Sequence, residues 1–217
     1  MILLSTAYAP PVQYFCKMLR TNSVQIEACE HYIKQTYRSR CHIATDQGIQ
    51  SLNIPVASGA SSNCPIRDVR ISEHGNWRHV HRQALRTAYG SSAFFEYLAP
   101  EIFPHFDKGQ AFLFDFNYEL LQTLLRLLSI DVELSLTSSF EEPMPLLSAS
   151  PKASPLQDYR LSIRPKNPPI DPAFHPIPYY QTNAAIHGFL PNLSILDLLF
   201  ECGPEAPLIL LKSSSMQ

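Results

Sequence analysis

Apolar and polar residues along this chain fall into a few local rhythms, and each rhythm predicts an element. Ile2–Leu4 is a short apolar run, and Pro10 and Pro11 suit the first turn of a helix, where a missing N–H costs nothing. Val12, Phe15, Cys16 and Leu19 then recur at helical spacing, with Gln13 and Tyr14 off that stripe. Residues 24–29, VQIEAC, alternate as a half-buried strand does. TDQG at 45–48 is a turn signal between strands at 40–44 and 49–56. Residues 57–65 read as loop and 66–71, IRDVRI, as another strand. The clearest helix is 77–89. It gathers Trp77, Val80, His81, Ala84, Leu85, Ala88 and Tyr89 on one face, with Asn76 and Gly90 placed as caps. A second long helix is predicted from Tyr118 to Ser129, capped by Asn117. Then come a strand at 132–137, a helix at 193–202 between Asn192 and Gly203, and a closing strand at 207–212.

Ten of the 19 prolines fall between Pro143 and Pro178. A structureless loop of that length is unusual inside a domain. YRLSIRP at 159–165 alternates within it, so 143–178 reads as an extended proline-rich segment wrapped on the body. The expected fold class is α/β or α+β: a single domain over 1–217, with a mixed sheet flanked by helices.

Composition narrows the function classes. The 217 residues are 45% hydrophobic, and 17 Lys+Arg against 19 Asp+Glu give a net charge of -2, so no nucleic-acid partner is expected. No apolar run is long enough for a membrane span. The N-terminus lacks the positive n-region of a leader and reads as a buried strand. Five cysteines, with no C-x-x-C pair, suit a reducing cytoplasm. The histidines are dispersed and no zinc spacing occurs, so no metal is expected; the seven glycines form no phosphate-cradling loop, and no cofactor is expected.

Candidate chemistry concentrates in QTYRSRCHIA, 35–44, with His31, Tyr32 and Lys34 just before it. If 37–43 is extended, Arg38, Arg40 and His42 share one face and Tyr37, Ser39 and Cys41 the other. Cationic groups stacked on one face repel unless solvated or bridged by an anion. That leaves two readings: a phosphate or carboxylate site with tyrosine stacking planes, or a solvated face paired with acids such as Glu27 and Glu30. His81, one turn from Trp77 on an apolar face, is either a core histidine or a general base. Arg78, Arg82 and Arg86 form a stripe that reads as a solvated face. Asp197 lies with Ser194 and Glu201 on the polar strip of an otherwise apolar helix, so it needs a partner; an arginine of the basic cluster would serve, making Asp197 an organiser of the site. Cys41 and His42 point to opposite faces of a strand, which disfavours a thiolate nucleophile. Tyr179, Tyr180, Gln181 and His187 suit a sugar or nucleoside face, and equally a packed segment.

Several stretches together carry a resemblance: TAYAPPVQYF (6–15), EHYIKQTYRSRCHI (30–43), LNIPV (52–56), Trp77 with His81, Tyr89, FLFDFN (112–117), PYYQT (178–182) and HGFLPNLSILDLLFECG (187–203). With these the chain resembles the WbqC-like protein family over essentially its whole length. Matching positions are Gln13, Tyr14, Tyr37, Arg38, Arg40, Trp77, His81, Tyr179, Gln181, Pro191, Ser194 and Asp197. Longer relatives carry an extra segment where this chain has its proline-rich stretch. The resemblance implies a cytoplasmic protein of surface-polysaccharide (O-antigen) biosynthesis and a transferase modifying an activated or lipid-linked sugar. In that role Lys34, Arg38 and Arg40 hold an anionic donor, and Tyr37, Trp77 and Tyr179 give ring contacts. Gln13, Tyr14, His42, Gln181 and His187 complete the substrate site, with His81 as the candidate general base and Asp197 in the catalytic site as its organiser. The alternative is a non-catalytic protein that holds a glycan or a partner enzyme of the same pathway. A deep pocket joining Arg38, Arg40 and His81 favours the enzyme; a shallow groove with His81 packed favours the binder.

Overall fold

The computed structural model describes residues 1–58, 60, 62–140, 142 and 156–214. β1 (Ile2–Ser5) leads through α1 (Val12–Met18) into β2 (Ser23–Glu27), followed by a hairpin of β3 (Arg40–Thr45) and β4 (Gly48–Asn53). A helical block comes next: α2 (Trp77–Tyr89), α3 (Phe95–Ile102), α4 (Pro104–Asp107) and α5 (Leu113–Leu127). β5 (Glu133–Leu136), β6 (Gln157–Asp158), α6 (Ala184–His187), α7 (Ile195–Cys202) and α8 (Ala206–Ser213) complete the order.

Helices thus accompany a four-stranded sheet of order β5-β2-β1-β6 in which every neighbouring pair is parallel, and β3 and β4 form a separate antiparallel pair. Parallel strands covered on both faces need apolar side chains on both, and Ile2, Leu3 and Leu4 are all buried. The strand order reverses at β1. β2 and β5 build outward on one side of it, and β6 takes the other. One continuous apolar core joins β1, α1, the hairpin, α2, α5 and α7. Among the described residues, no helix is long and apolar enough to cross a membrane, and no group of three or more His, Cys, Asp or Glu could hold a metal. The five cysteines are free.

Several boundaries differ from the sequence expectation. Residues 66–71 are not a strand. Ile66–Asp68 is a 3-10 turn, and Arg70 and Ile71 make single bridges to Phe112 and Val56. α5 starts at Leu113, so Asn117 lies inside it; its buried amide donates to Arg38 O (2.8 Å) and Thr6 Oγ1 (3.3 Å). Asn76 makes no side-chain cap to α2. α7 is capped by Ser194, whose hydroxyl accepts from Leu196 N. Asn192 instead serves α1: its Oδ1 accepts from the Gln13 N–H at 2.9 Å. Residues 207–212 are helical, and Pro207 is accommodated in the first turn, where its lost N–H is harmless. Within 159–165 the chain turns after the two-residue β6. Of the proline-rich segment, 143–155 lies outside the described residues. Further along it, Lys17 pairs with Asp171 at 2.7 Å and His175 N donates to Ser213 O at 2.9 Å.

Candidate functional site

The basic–aromatic segment does not fold as one extended strand. β3 begins only at Arg40, and the residues before it bend. Lys34 is exposed. Arg38 is buried and held on both edges. Its Nε donates to Glu30 Oε1 (2.7 Å) and its Nη2 to Glu30 Oε2 and Ser5 Oγ (2.6 Å), while Nη1 reaches Thr36 Oγ1 (3.2 Å). A bidentate carboxylate neutralises a guanidinium with good geometry. Arg40 goes elsewhere, with its Nε on Asn53 Oδ1 at 2.7 Å. His42 is half-buried, and its ring meets the edge of Tyr37 at 5.7 Å. Desolvation first, and then the Arg40 charge, hold its pKa below the usual imidazole value. Burial pushes the Tyr37 phenol up to about 12.

Arg38 reaches the carboxyl end of β1. There Ser5, Thr6 and Ala7 meet Tyr37, Arg38 and Arg160 around a narrow crevice of about 10 Å³, room for one water. Neither Arg40 nor His81 lines it. Arg160, just past β6, pairs with Glu27 (2.6 Å) and Asp158 (2.7 Å), and little of any of the three side chains is exposed. The crevice thus lies where strand order reverses, the usual ligand position of an open α/β sheet. Tyr14, also in its lining, donates its hydroxyl to Ser5 O at 2.9 Å. Gln13 donates to Asp171 Oδ2 at 2.7 Å beside the Lys17–Asp171 pair.

His81 sits in an aromatic box. Its ring stacks on Tyr8 (5.6 Å) and meets the edges of Trp77 (5.0 Å) and Phe106 (6.4 Å). Its Nδ1 shares a hydrogen bond with the Tyr8 hydroxyl (2.9 Å), and the ring also bonds the Asn53 backbone. It is 4% exposed, and desolvation pushes its pKa down to about 4. The Trp77 indole is buried as well, and its Nε1 has no protein partner among the described residues.

Asp197 is fully buried, but its partners are neutral, where the sequence suggests an arginine. Tyr89 donates to Oδ1 (2.8 Å); Tyr179 (2.6 Å) and Gln181 Nε2 (2.9 Å) donate to Oδ2. Desolvation raises its pKa against these three bonds. Tyr89 continues the chain by accepting from Ala44 N at 3.0 Å. Asp197 therefore ties together α2, β3 and the PYYQT stretch. One turn on, Glu201 accepts from Thr182 N (2.8 Å) and Thr182 Oγ1 (3.2 Å). Gln181 also brackets Leu190, donating to its carbonyl (3.0 Å) and accepting from its N–H (2.9 Å). His187 Nε2 donates to Asp46 O at 2.8 Å, fastening this segment to the hairpin turn.

Between the hairpin, α2 and the start of that segment lies an open groove of about 810 Å³. Asp46, Gln50, Thr87, Ser91, Thr182 and Asn183 give its polar lining, and Ile49, Ala84 and Ala88 its apolar part. Among the described residues, Asp46 is the one charged side chain in the lining. Such a surface offers donors and acceptors without a strong field, and its size suits a small organic ligand.

The WbqC-like protein family model matches residues 6–147, which hold α1, the basic–aromatic segment, the hairpin, α2 and α5. The chain belongs to the WbqC-like protein family. The matched region includes Arg38, His81 and the hairpin and α2 sides of the groove, and it ends before Tyr179, Thr182 and Asp197. A Mycobacterium tuberculosis (strain ATCC 25618 / H37Rv) protein named Uncharacterized protein Rv1507c is 28% identical over 225 residues, covering 94% of each chain. No solved structure matches the chain significantly.

Sequence reasoning misses Arg160 and the groove. Arg160 lies in a stretch that reads as strand, and nothing local links it to Glu27, 133 positions away. The groove is assembled by the hairpin turn docking against α2, which no spacing rule encodes. Of the expected site residues, the structure joins Tyr14, Tyr37 and Arg38 at the crevice, and Tyr179 and Gln181 at Asp197. Gln13, Lys34, Arg40, Trp77 and His81 join neither set of contacts, His42 meets the crevice only through the Tyr37 ring, and His187 reaches the groove only through Asp46.

Proposed function

We propose that the protein holds a carbohydrate intermediate of surface-polysaccharide (O-antigen) biosynthesis in the groove between the hairpin, α2 and Thr182–Asn183. The observation that carries this reading is the groove's lining of hydroxyls and amides around an apolar strip, with a single charge among the described residues. A sugar ring presents alternating hydroxyls and C–H faces, and such a lining answers both. The state of the basic cluster favours holding over catalysis: Arg38 is neutralised by Glu30, and His81 is sealed among aromatic rings. Calorimetric titration with neutral oligosaccharides and nucleotide sugars tests it. Binding should follow the sugar portion, and Gln50→Ala or Asn183→Ala should weaken it about tenfold, about 1.4 kcal/mol, with melting temperature unchanged. Absence of any carbohydrate binding would end the proposal.

A second reading, a transferase with an anionic donor, is favoured by the crevice at the carboxyl ends of β1 and β6. A donor would have to replace Glu30 on Arg38 and gain Arg160, with Tyr37 beside it. Product formation from a nucleotide sugar and an acceptor, lost in Arg38→Lys, would select this reading over the first.

A further inference from the structure

Among the described residues, two buried carboxylates on α7 face no cation. Among the described residues, none of the ion pairs involves Asp197 or Glu201. Burying carboxylates is costly, and desolvation raises the pKa of both. Their donors explain the placement. All but the Tyr89 hydroxyl come from Tyr179–Thr182. Thr182 is the point where this strip enters the groove, and Glu201 takes both its backbone N–H and its hydroxyl. The far end of the same segment is pinned by His187 on Asp46, across the groove mouth.

We infer that Glu201 is a positioning residue for the groove. By clamping Thr182 it fixes the Thr182–Asn183 wall in the geometry that receives the carbohydrate. The inference rests on the groove being the carbohydrate site. A side chain held by two bonds from one residue presents its neighbours with little conformational freedom left to lose on binding, and preorganisation of that kind shows in affinity. The charge is incidental. In the Glu201→Gln variant the new side chain would present an amide oxygen to the Thr182 N–H and an amide N–H to the hydroxyl oxygen, keeping both contacts without a buried charge.

The test compares wild type, Glu201→Ala and Glu201→Gln by amide hydrogen exchange without ligand, and by affinity for a neutral hexose trisaccharide. In Glu201→Ala, exchange at the Thr182 amide should rise about tenfold or more and affinity should fall at least about fivefold. Exchange in β1 and α5 should not change. Glu201→Gln should restore both. Faster exchange at Thr182 with unchanged affinity would overturn the inference, as would unchanged exchange. If Glu201→Ala fails to fold, Glu201→Asp, one methylene too short to keep both bonds to Thr182, should give the same pattern at smaller amplitude. If the wild type binds no carbohydrate, the groove reading fails and the inference with it; the ligand-free exchange result still reports separately whether Glu201 clamps Thr182.

Discussion

Lowering the pH from 7.5 to 5 should cost the native state about 2 kcal/mol through His81 alone. The native imidazole is pushed down to about 4 by burial, against 6.5 when unfolded. A depressed native pKa means that the unfolded chain takes up the proton first. The stabilising contribution is therefore fully present above pH 6.5 and is lost as pH falls toward 4. At pH 5 the unfolded imidazole is about thirtyfold biased to the charged form and the native one hardly at all, which gives RT ln 30, about 2 kcal/mol. The limit below pH 4 is about 3 kcal/mol, from 2.5 pH units at 1.36 kcal/mol each. His42 and His105 shift in the same direction, so the quantity to measure is a difference. Urea unfolding of wild type and His81→Gln across pH 7.5 to 4 isolates it. The wild type should lose about 2 kcal/mol more than the variant by pH 5. Equal losses, or an NMR titration placing His81 near 6.5, would refute the packing argument and make His81 a candidate general base again.

Other consequences concern the buried network and the turns. Arg38→Met should destabilise by roughly 3–5 kcal/mol, because it strands the Glu30 carboxylate in the core; adding Glu30→Gln should recover much of that in chemical denaturation. Gly203→Ala should cost roughly 2–4 kcal/mol by the same assay, since φ is +48° and the new Cβ would lie 2.5 Å from the Phe94 ring. In thiol labelling of the native protein, Cys29 and Cys64 should react well before Cys41, whose thiol is sealed and raised by burial. Rapid labelling of Cys41 would revive a cysteine-dependent mechanism.

The parts of the fold legible in the sequence are those whose signal is local. β1, β2, the TDQG hairpin and α2 are each set by a short periodic pattern with turn residues at its ends, and α2 spans Trp77–Tyr89 as expected. The misreadings involve residues whose role is long-range. Asn117 has the position of a cap; its amide instead holds the Arg38 carbonyl. Asn192 caps α1 in place of the helix that follows it. PLILLK fits helical and strand spacing alike, and its docking on α1, where Cys16 Sγ donates to the Leu210 carbonyl at 3.4 Å, decides. The site follows the same division. That Asp197 needs partners follows from its apolar helix. That those partners are two tyrosines and a glutamine does not, since hydroxyl and amide donors carry no charge signal. The residue types of 31–43 suggest an anion site, but Glu30 occupies the Arg38 fork, and nothing in the spacing distinguishes an internal carboxylate from a ligand's.

Backbone chemical-shift mapping during titration with a neutral oligosaccharide tests the central claim most directly. Saturable shifts clustered at Gln50, Thr87, Ser91, Thr182 and Asn183 are predicted, with Ser5–Ala7, Arg38 and Arg160 silent. Shifts centred on the crevice residues, or none at any concentration, would contradict it.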